Sequence, residues 1–417
     1  MKKWRIWLRE NMPKVMQKEH IVISGFGSIS PLGYTWETVS ESYQKGLPAF
    51  SYRELDGKLT ATGSLKEETD AVIKALSKEK REFKSLDRSV LMGIHASRQA
   101  VSMASWQNSE AEIGINIGSS RGAATLLEND WETFRKNGKA SPLSSPTTTL
   151  GNISSWVAQD LNASGPVISH SITCSTALQA LANGFAWLKA GMAEKFLAGG
   201  TEAPLTPFTI AQMKALGIYA RNEEALPYPC RPHNLEKQNT FVLGEGAAVF
   251  ALEKLPFSEL QNRTEETFIL EGIGFGVEQI KSKTGISAEG LHFQKAIQNA
   301  LKSTDMAEPI DLVIMHAPGT AAGDAAEMKA LEAVFGKGNI PPVTNNKFLI
   351  GHTLGASGAL SLEYALYILK NQHYLHFPDL QQSVSQSCNT IKRILIVTAG
   401  FGGNAAAVVV RKATKSF

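Results

Sequence analysis

One cysteine and two histidines are the residues of this sequence best suited to nucleophilic chemistry. Cys174 separates a strand-like segment, 167–173, from an apolar helical pattern that ends near Gly191, which predicts a tight strand-to-helix turn. The positive end of a helix dipole favours a thiolate at such a position. Buried cysteines are more often inert core residues, however, and Cys174 alone does not decide between the two.

Both histidines lie where a strand-like segment runs into a turn. His316 precedes Ala317-Pro-Gly-Thr320, and His352 lies in the segment 347–356. A single histidine at such a turn is more often structural than catalytic. A lone cysteine with histidines at turns elsewhere is nevertheless a candidate catalytic set, in which the cysteine is the nucleophile. The turn Gly400-Phe-Gly-Gly403 is suited to present backbone N–H groups to an oxyanion.

The composition is that of an ordinary globular protein. The chain has 417 residues, of which 43% are hydrophobic and 19% charged, and its net charge of +3 is too small to indicate nucleic-acid binding. Its three cysteines, Cys174, Cys230 and Cys388, include no CxxC spacing, so we expect neither a disulfide framework nor a zinc site. This use of cysteine favours a reducing, cytoplasmic location.

Residues 1–19 form a basic segment ahead of the first strand-like stretch. Six lysines and arginines and two glutamates are interleaved with apolar residues. These charges interrupt the apolar run too often for a signal peptide, and no later stretch is long and apolar enough to span a bilayer. An amphipathic helix at a membrane surface is one interpretation, but we favour an extension that precedes the domain.

Strand and helix patterns alternate in two series, over residues 20–258 and again over 266–412. The predicted strands are 21–27, 111–118, 167–173, 195–201, 246–253, 267–274, 311–316, 394–398 and 405–411, and the predicted helices are 35–44, 74–104, 175–191, 288–301, 323–335 and 356–370. Two such series predict a layered α/β architecture with an internal duplication. The apolar helices that begin near Cys174 and Ala356 are expected to be counterparts, buried between sheets. Gly25-x-Gly27 lacks the third glycine of a dinucleotide-binding turn, because Ser30 occupies that position.

Over about residues 20–412 the chain resembles the elongating β-ketoacyl-acyl carrier protein synthases of the thiolase fold. Five groups of motifs occur in the family's order: Gly165-Pro-Val-Ile-Ser and Thr173-Cys-Ser-Thr followed by Ala198-Gly-Gly-Thr-Glu202; Arg231-Pro with Gly244-Glu-Gly-Ala247; His316 with Asp324 and Glu327; Lys347 with Gly351-His352; and Gly400-Phe-Gly-Gly403. Each motif alone is weak, but their order and spacing are specific. The resemblance implies a thiolase-like five-layer αβαβα fold built from two duplicated halves.

The resemblance also implies a decarboxylative condensation. Cys174 would accept an acyl group from the phosphopantetheine of an acyl carrier protein, and the backbone N–H groups of Cys174 and Phe401 would stabilise the oxyanion. His316 and His352, as neutral donors, would stabilise the enolate that forms when malonyl-carrier protein loses carbon dioxide. Attack of this carbanion on the acyl-enzyme gives a β-ketoacyl product. The family implies no metal and no diffusible cofactor, because decarboxylation drives the condensation.

Further residues take supporting roles by the same resemblance. Lys347 would hold the charge network around the histidines with Asp324 and Glu327, and Phe401 would gate the acyl pocket. The substrate-binding positions implied are Thr320, Ala399, Gly400 and Gly402. A basic face should receive the acidic carrier protein, and the positions implied for it are Lys80, Arg81, Lys84 and Lys214; a merely solvated helix face is the alternative for these four. The family also implies a homodimer, or a heterodimer with a ketosynthase-like subunit.

Three positions depart from the family's pattern. Pro318 replaces a threonine whose hydroxyl helps to hold pantetheine or the malonyl carboxylate, and Ala399 replaces a phenylalanine of the pocket wall. Ser361 stands where a glutamate is expected, with Glu363 close by. The cysteine and both histidines are retained, so the departures leave two hypotheses: housekeeping fatty-acid elongation, or a specialised lipid, polyene or polyketide product.

Two other classes of protein fit the sequence less well. A non-catalytic, chain-length-factor-like partner of a ketosynthase heterodimer typically lacks the nucleophile, which Cys174 provides here. A degradative thiolase would need a second active-site cysteine in the C-terminal glycine loop, and residues 399–404 contain none. The condensing enzyme is therefore the leading hypothesis.

Overall fold

The structure is a computed structural model that describes residues 19–413 except 56, 108–111, 222–223, 264–265, 281, 283–284, 305–307 and 380–389. Residues 1–18 of the basic segment and Cys388 lie outside the described residues. Within the described ranges, no helix combines the length and the hydropathy needed to cross a bilayer.

The first half of the chain forms a five-stranded array and a separate hairpin. Its strands are β1 (Glu19–Ile29), β2 (Ser51–Leu55), β3 (Lys58–Thr62), β4 (Ile113–Gly118), β5 (Val167–Ile168), β6 (Lys195–Glu202) and β7 (Gly246–Pro256). β2 and β3 form the hairpin, and the other strands lie in the order β5-β4-β6-β7-β1. β5, β4 and β6 are mutually parallel, whereas β7 is antiparallel to β6 and to β1.

The second half repeats this topology. Its strands are β8 (Phe268–Val277), β9 (Leu312–Ile314), β10 (Val343–Thr344), β11 (Arg393–Gly400) and β12 (Asn404–Lys412), in the order β10-β9-β11-β12-β8. If the five strands of each array are numbered in chain order, with the hairpin left out, both arrays have the same spatial order: third, second, fourth, fifth and first strand. β1 and β8 pair antiparallel where the two arrays meet, which joins them into one ten-stranded sheet. The predicted duplication is therefore confirmed.

The two five-stranded arrays are two layers of the fold, and the other three layers consist of helices. They are α1 (Trp36–Lys45), α2 (Glu67–Glu79), α3 (Arg88–Met103), α4 (Ala124–Asn137), α5 (Ser144–Thr148), α6 (Asn152–Leu161), α7 (Thr176–Lys189), α8 (Pro207–Ala215), α9 (Phe257–Asn262), α10 (Leu291–Lys302), α11 (Ala321–Phe335), α12 (Lys347–Ile350) and α13 (Ser357–Asn371). α7 packs on β6, α13 packs on β11, and the two helices contact each other between the arrays. α3 and α6 cover the first array, and α10 covers the second, with α11 packed against α10.

Alternation along the strands explains why each array can be buried on both faces. Phe196 and Ala198 of β6 belong to the apolar cluster that includes α7, whereas Leu197 between them belongs to the cluster that includes α3. α13 is buried along nearly its whole length, from Ser357 to Leu369. Helices that are apolar nearly all round can lie only in such an interior, so the five-layer α/β prediction is confirmed.

Several local predictions were wrong. The strand expected over 167–173 ends after Ile168, because the Ser154 hydroxyl donates to the Ile168 carbonyl at 2.6 Å in place of a strand partner. The helix expected over 74–104 is interrupted, and α3 starts afresh where Asp87 accepts a hydrogen bond from the Ser89 N–H at 2.8 Å. The hairpin, β10 and the helices α4, α5, α6, α8, α9 and α12 were not predicted. The proposed division of the chain between residues 258 and 266 stays a prediction.

Candidate active site

Cys174 lies at the tip of a sharp turn between β5 and α7. The preceding residue, Thr173, has a left-handed backbone conformation with φ 51°, which is uncommon for a β-branched residue and is held by surrounding contacts. The Thr176 hydroxyl donates to the Thr173 carbonyl at 2.6 Å and accepts from the Ile172 N–H at 2.8 Å. These two bonds fix the turn that presents the cysteine.

The β11–β12 turn is packed directly against this cysteine turn. A Cβ atom at Gly400 would lie 1.8 Å from Thr173 Oγ1 and 3.1 Å from the backbone nitrogen of Cys174, so only glycine permits the approach. Asn404 connects the two turns, since its Oδ1 accepts from the Ser175 hydroxyl at 2.5 Å and its Nδ2 donates to the Phe401 carbonyl at 2.9 Å.

His316 follows β9 and is positioned by a buried carboxylate of α11. The two oxygens of Glu327 accept hydrogen bonds from the backbone N–H groups of His316 and Ala317, each at 2.7 Å. His352 is positioned through its backbone, because its N–H donates to the Val242 carbonyl at 2.7 Å. The two imidazole rings lie 5.2 Å apart between centroids, at 82° to each other.

One cavity brings the predicted nucleophile and both histidines together. Cys174, His316 and His352 all line it, and so do four of the implied substrate-contacting or gating positions: Thr320, Ala399, Gly400 and Phe401. Gly402 is not among the lining residues, and neither are Lys347, Asp324 and Glu327, which lie behind the wall. Phe401 is 42% exposed although it lines the cavity, which suits a gate.

Burial sets the charge state of both histidines. Loss of water lowers the pKa of His316 and that of His352 well below the ordinary value, and the nearby Lys347 lowers both further. Both rings are therefore neutral at physiological pH. A neutral imidazole has one N–H donor and one lone pair, so each ring can donate one hydrogen bond and accept one proton.

Of the two influences that the sequence left open at Cys174, burial favours the thiol in the resting protein. Burial, reinforced by the carboxylate of Glu202, raises the pKa of the Cys174 thiol to about 12. The desolvation of the sulfur outweighs the helix dipole, because the side chain is only 8% exposed. A thiol has to lose its proton before it can act as a strong nucleophile, and the neutral histidines that line the same cavity are groups able to accept one.

Lys347 lies buried behind the histidines and faces acidic groups. Its Nζ donates to the Met315 carbonyl at 3.3 Å. Burial lowers the pKa of Lys347, while Glu327 and Asp324 act in the opposite direction. Burial raises the pKa of both carboxyls, that of Asp324 to about 7. Asp324 also accepts backbone hydrogen bonds from His233 at 3.1 Å and Thr320 at 3.2 Å, so it holds the start of α11 against the cavity.

Glu363 does not replace the glutamate that is missing at Ser361. Its Oε2 accepts a hydrogen bond from the Tyr43 hydroxyl at 3.0 Å, and it does not line the cavity. Burial raises the pKa of the Glu363 carboxyl to about 7. Ser361 is fully buried on the same helix. The family's carboxylate therefore has no counterpart at the cavity wall on this helix.

The raised pKa of Glu363 leads to a stability prediction. The folded state holds this proton up to about pH 7, whereas an unfolded glutamate releases it near its ordinary pKa of about 4.3, so this contribution to stability is lost as the pH rises between those values. Glu363→Gln keeps the neutral form at every pH. We expect the variant to gain up to about 3 kcal/mol over the wild type in unfolding free energy between pH 5 and pH 8, measured by urea unfolding. The same change at the exposed Glu259 should show no such pH dependence, and a pH-independent difference at Glu363 would contradict the prediction.

Glu202, which occurs within one of the sequence motifs but was given no role there, is a carboxylate that joins the two halves. Glu202 accepts hydrogen bonds from Ser120 N at 2.7 Å, Arg121 N at 2.9 Å and Gly355 N at 2.8 Å. Burial raises its pKa to about 7. The available signal was an acidic residue at the end of a buried strand, where a charge is costly unless it holds neighbouring backbone groups.

A second missed pair is formed by His292 and Glu278. His292 is fully buried and lines the same cavity. Its Nδ1 lies 2.9 Å from Glu278 Oε1. The expected helix 288–301 contains this histidine, but nothing in its spacing indicated that it faces the cavity.

The four basic residues implied for carrier docking occupy different settings. Arg81 and Lys84 are exposed, next to and within the 3-10 turn Glu82–Ser85. Lys80 forms an ion pair with Asp160 at 2.7 Å. Lys214 lies on α8 and donates to Thr60 Oγ1 at 2.7 Å. Among the residues that the structure describes, no group of three or more His, Cys, Asp or Glu side chains is arranged to hold a metal ion.

Two family models match most of the chain. Residues 18–257 match the family described as "Beta-ketoacyl synthase, N-terminal domain", and residues 268–380 match "Beta-ketoacyl synthase, C-terminal domain". A 3-oxoacyl-[acyl-carrier-protein] synthase 2 of Staphylococcus aureus (strain COL) is 28% identical over 421 residues, which cover 95% of this chain and 99% of that protein.

Two solved structures share the fold. One is a chain from a type II polyketide ketosynthase in complex with its acyl carrier protein and bound to a hexaketide. It superposes with a TM-score of 0.81 at 23% identity, covering 95% of this chain and 100% of that chain. A chain of a ketosynthase in complex with its chain length factor from Xenorhabdus doucetiae gives a TM-score of 0.74 at 21% identity, covering 96% and 100%.

Proposed function

This chain belongs to the β-ketoacyl synthase family, and we propose that Cys174, His316 and His352 carry out the decarboxylative condensation of an acyl thioester with malonyl-acyl carrier protein. The product is a β-ketoacyl-acyl carrier protein. The observation that carries the assignment is the shared cavity, which a thiol and two neutral imidazoles line together.

The first half-reaction transfers the acyl group to the enzyme. The Cys174 sulfur attacks the thioester carbonyl, and its proton passes through a neutral histidine to the departing pantetheine thiol. The C–S bond to pantetheine breaks as the bond to Cys174 forms. The oxyanion that forms between these events is stabilised by the backbone N–H groups of Cys174 and Phe401, which lie on the two turns that Asn404 joins.

The second half-reaction begins when malonyl-carrier protein enters the cavity. The bond to its carboxylate breaks, carbon dioxide leaves, and the electron pair moves into an enolate. His316 and His352 each donate a hydrogen bond to the enolate oxygen, as neutral rings can. The carbanion then attacks the acyl-enzyme, the bond from the acyl carbon to the Cys174 sulfur breaks, and the departing thiolate takes up a proton from water, because its original proton left with the first pantetheine thiol. Burial favours this protonation, since it raises the pKa of the thiol.

Lys347, Asp324 and Glu327 act as positioning residues in this proposal. Glu327 holds the backbone at His316, and Asp324 holds that at Thr320. The positive charge of Lys347 lowers the pKa of both histidines, which keeps them neutral. Gly400 and Gly402 shape the turn that carries Phe401.

The acyl donors and partners belong to the same proposal. Phosphopantetheine arrives covalently on an acidic carrier protein, so the reaction calls for no diffusible cofactor. The synthase acts as a homodimer or with a ketosynthase-like partner, as the solved complex with a chain length factor illustrates for its own ketosynthase. Retention of Cys174 supports a catalytic subunit rather than the non-catalytic partner.

The assignment is tested by incubating the protein with acyl-carrier and malonyl-carrier substrates of several chain lengths and weighing the carrier adducts. We expect a mass gain on Cys174 with the acyl donor alone, and a β-ketoacyl-carrier product once malonyl-carrier protein is added. Absence of Cys174 acylation at every chain length would favour the non-catalytic partner.

Charge reversal at the proposed docking face should weaken the use of carrier-bound substrates. Arg81→Glu combined with Lys84→Glu is expected to lower kcat/KM for acyl-carrier protein about tenfold at low salt, because electrostatic attraction to an acidic partner speeds association. The loss should shrink at high salt and be absent with free pantetheine thioesters. Lys302→Glu combined with Lys337→Glu, two exposed lysines of the second half, is the matched control. An equal loss with free pantetheine thioesters would contradict a docking role.

A further inference from the structure

The cavity contains one polar side chain to which the proposed reaction assigns no task. Besides Cys174, His316, His352 and Thr320, its polar lining consists of Asn239 and His292. The Asn239 amide already has a protein partner at each polar atom, since Nδ2 donates to the Gly217 carbonyl and Oδ1 accepts from the Ala321 N–H, both at 3.0 Å. His292 differs, because both ring nitrogens are buried and neither forms a hydrogen bond within the described part of the chain; a carboxylate oxygen lies close to Nδ1, whereas Nε2 has no polar partner there.

Glu278 holds the opposite side of this ring. It follows β8 directly, and its Oε1 lies 2.9 Å from His292 Nδ1. Ser287 donates to the same carboxylate twice, from its N–H at 2.9 Å and from its hydroxyl at 2.5 Å. Burial raises the pKa of Glu278, but these donors and His292 outweigh burial and lower it overall, so the carboxylate is ionised.

An ionised carboxylate next to Nδ1 determines which nitrogen carries the proton. Burial lowers the pKa of His292, although Glu278 opposes the shift, so the ring is neutral at physiological pH. A lone pair on Nδ1 would repel the carboxylate, and the single ring proton therefore sits on Nδ1. This leaves Nε2 with a lone pair, which accepts a hydrogen bond and offers none.

His292 lines the same cavity as Cys174 and His316. Its ring lies 4.3 Å from that of Phe293, whose ring is 6.3 Å from that of His316. Pro318 lines the same cavity and has no hydrogen-bonding side chain. At that position the resemblance expects a threonine hydroxyl. The cavity therefore has no side-chain donor or acceptor at Pro318, whereas the imidazole of His292 supplies one acceptor.

We propose that His292, held in the Nδ1–H form by Glu278, is a specificity residue that accepts a hydrogen bond from an O–H or N–H group of the thioester substrate. This inference rests on the proposed condensation. Two parts of a substrate supply such donors: the amides and hydroxyl of the pantetheine arm, or a hydroxyl on the acyl chain. A thioester without either donor gains nothing from the imidazole.

Kinetics of His292 variants distinguish these sources. His292→Phe removes the acceptor, whereas His292→Gln retains an amide oxygen at similar reach. Cys174 acylation is measured with a plain acyl-carrier protein, its hydroxyacyl counterpart, and acyl and hydroxyacyl thioesters of a simple alkanethiol. We expect His292→Phe to lower kcat/KM about tenfold wherever the donor is present, and His292→Gln to recover most of the loss.

The pattern of loss assigns the donor. A loss with both carrier substrates and neither alkanethiol ester identifies the pantetheine arm, and a loss confined to hydroxyacyl substrates identifies the acyl hydroxyl. An equal loss with all four substrates, or no loss at all, overturns the inference. His95→Phe, at a histidine outside the cavity, controls for the substitution itself.

The tautomer supplies a readout that does not depend on turnover. In the full chain labelled with ¹⁵N-histidine, the signals absent from His292→Phe should show a protonated Nδ1 and an unprotonated Nε2 at neutral pH. A protonated Nε2 overturns the inference. A wild-type protein that makes no β-ketoacyl product overturns the proposed function and this inference with it, whereas wild-type turnover with an insensitive His292→Phe overturns this inference alone.

Discussion

Cys174→Gln should abolish β-ketoacyl formation, by roughly four orders of magnitude or more, and still decarboxylate malonyl-carrier protein. Glutamine has no nucleophile to hold the acyl group, so the first half-reaction cannot occur. The histidines that stabilise the enolate are unchanged. Release of carbon dioxide and formation of acetyl-carrier protein, followed by mass spectrometry, report the second half-reaction alone.

Cys230 provides the matched control for this variant. It is also a fully buried cysteine, and its Sγ lies 3.8 Å from the Pro318 carbonyl, but it does not line the cavity. Cys230→Ala should retain condensation. If Cys174→Gln lost decarboxylation together with condensation while remaining folded, the role assigned to the histidines would be wrong.

Replacing either cavity histidine with alanine should slow decarboxylation by roughly 100- to 1,000-fold, the range for removing one donor to a developing oxyanion. The effect is best measured in the Cys174→Gln background, where condensation does not compete. His316→Asn and His352→Asn should each lose less, because asparagine retains an N–H donor. His373→Gln, at a half-buried histidine remote from the cavity, should leave the rate unchanged.

The pH profile tests the charge state of these rings. Burial lowers the pKa of both histidines well below the ordinary value near 6.5, so they stay neutral as the pH falls from 8 to 6.5. We therefore expect a nearly flat decarboxylation rate across this range. A rate that rises several-fold towards pH 6 would mean that an imidazolium is the active donor, and it would contradict neutral-histidine stabilisation.

The order and spacing of its motifs predicted the family and the duplicated α/β fold of this protein. Two apolar helices, one after Cys174 and one after Ala356, can be buried only between layers, and the repeated alternation of strands and helices indicated two similar halves. These features are local or periodic, so the sequence alone determines them. The roles of individual residues at the site remain predictions, although the structure brings Cys174, His316 and His352 to one cavity.

The predicted ends of strands and helices were wrong where a side-chain hydrogen bond takes the place of a backbone one. The Ser154 hydroxyl ends the strand at Ile168, and the Asp87 side chain starts α3 anew. Both residues were visible in the sequence. Their partners were not, because a hydroxyl or a carboxylate can satisfy many different backbone groups.

Only the tertiary structure decided the protonation states and the long-range partners. The position of Cys174 before a helix favoured a thiolate, but desolvation by the surrounding core favours the thiol. The four hydrogen bonds that Glu202 accepts from both halves and the approach of Glu278 to His292 depend on how distant segments pack. Burial and proximity are properties of the assembled core, and no spacing along the chain specifies them.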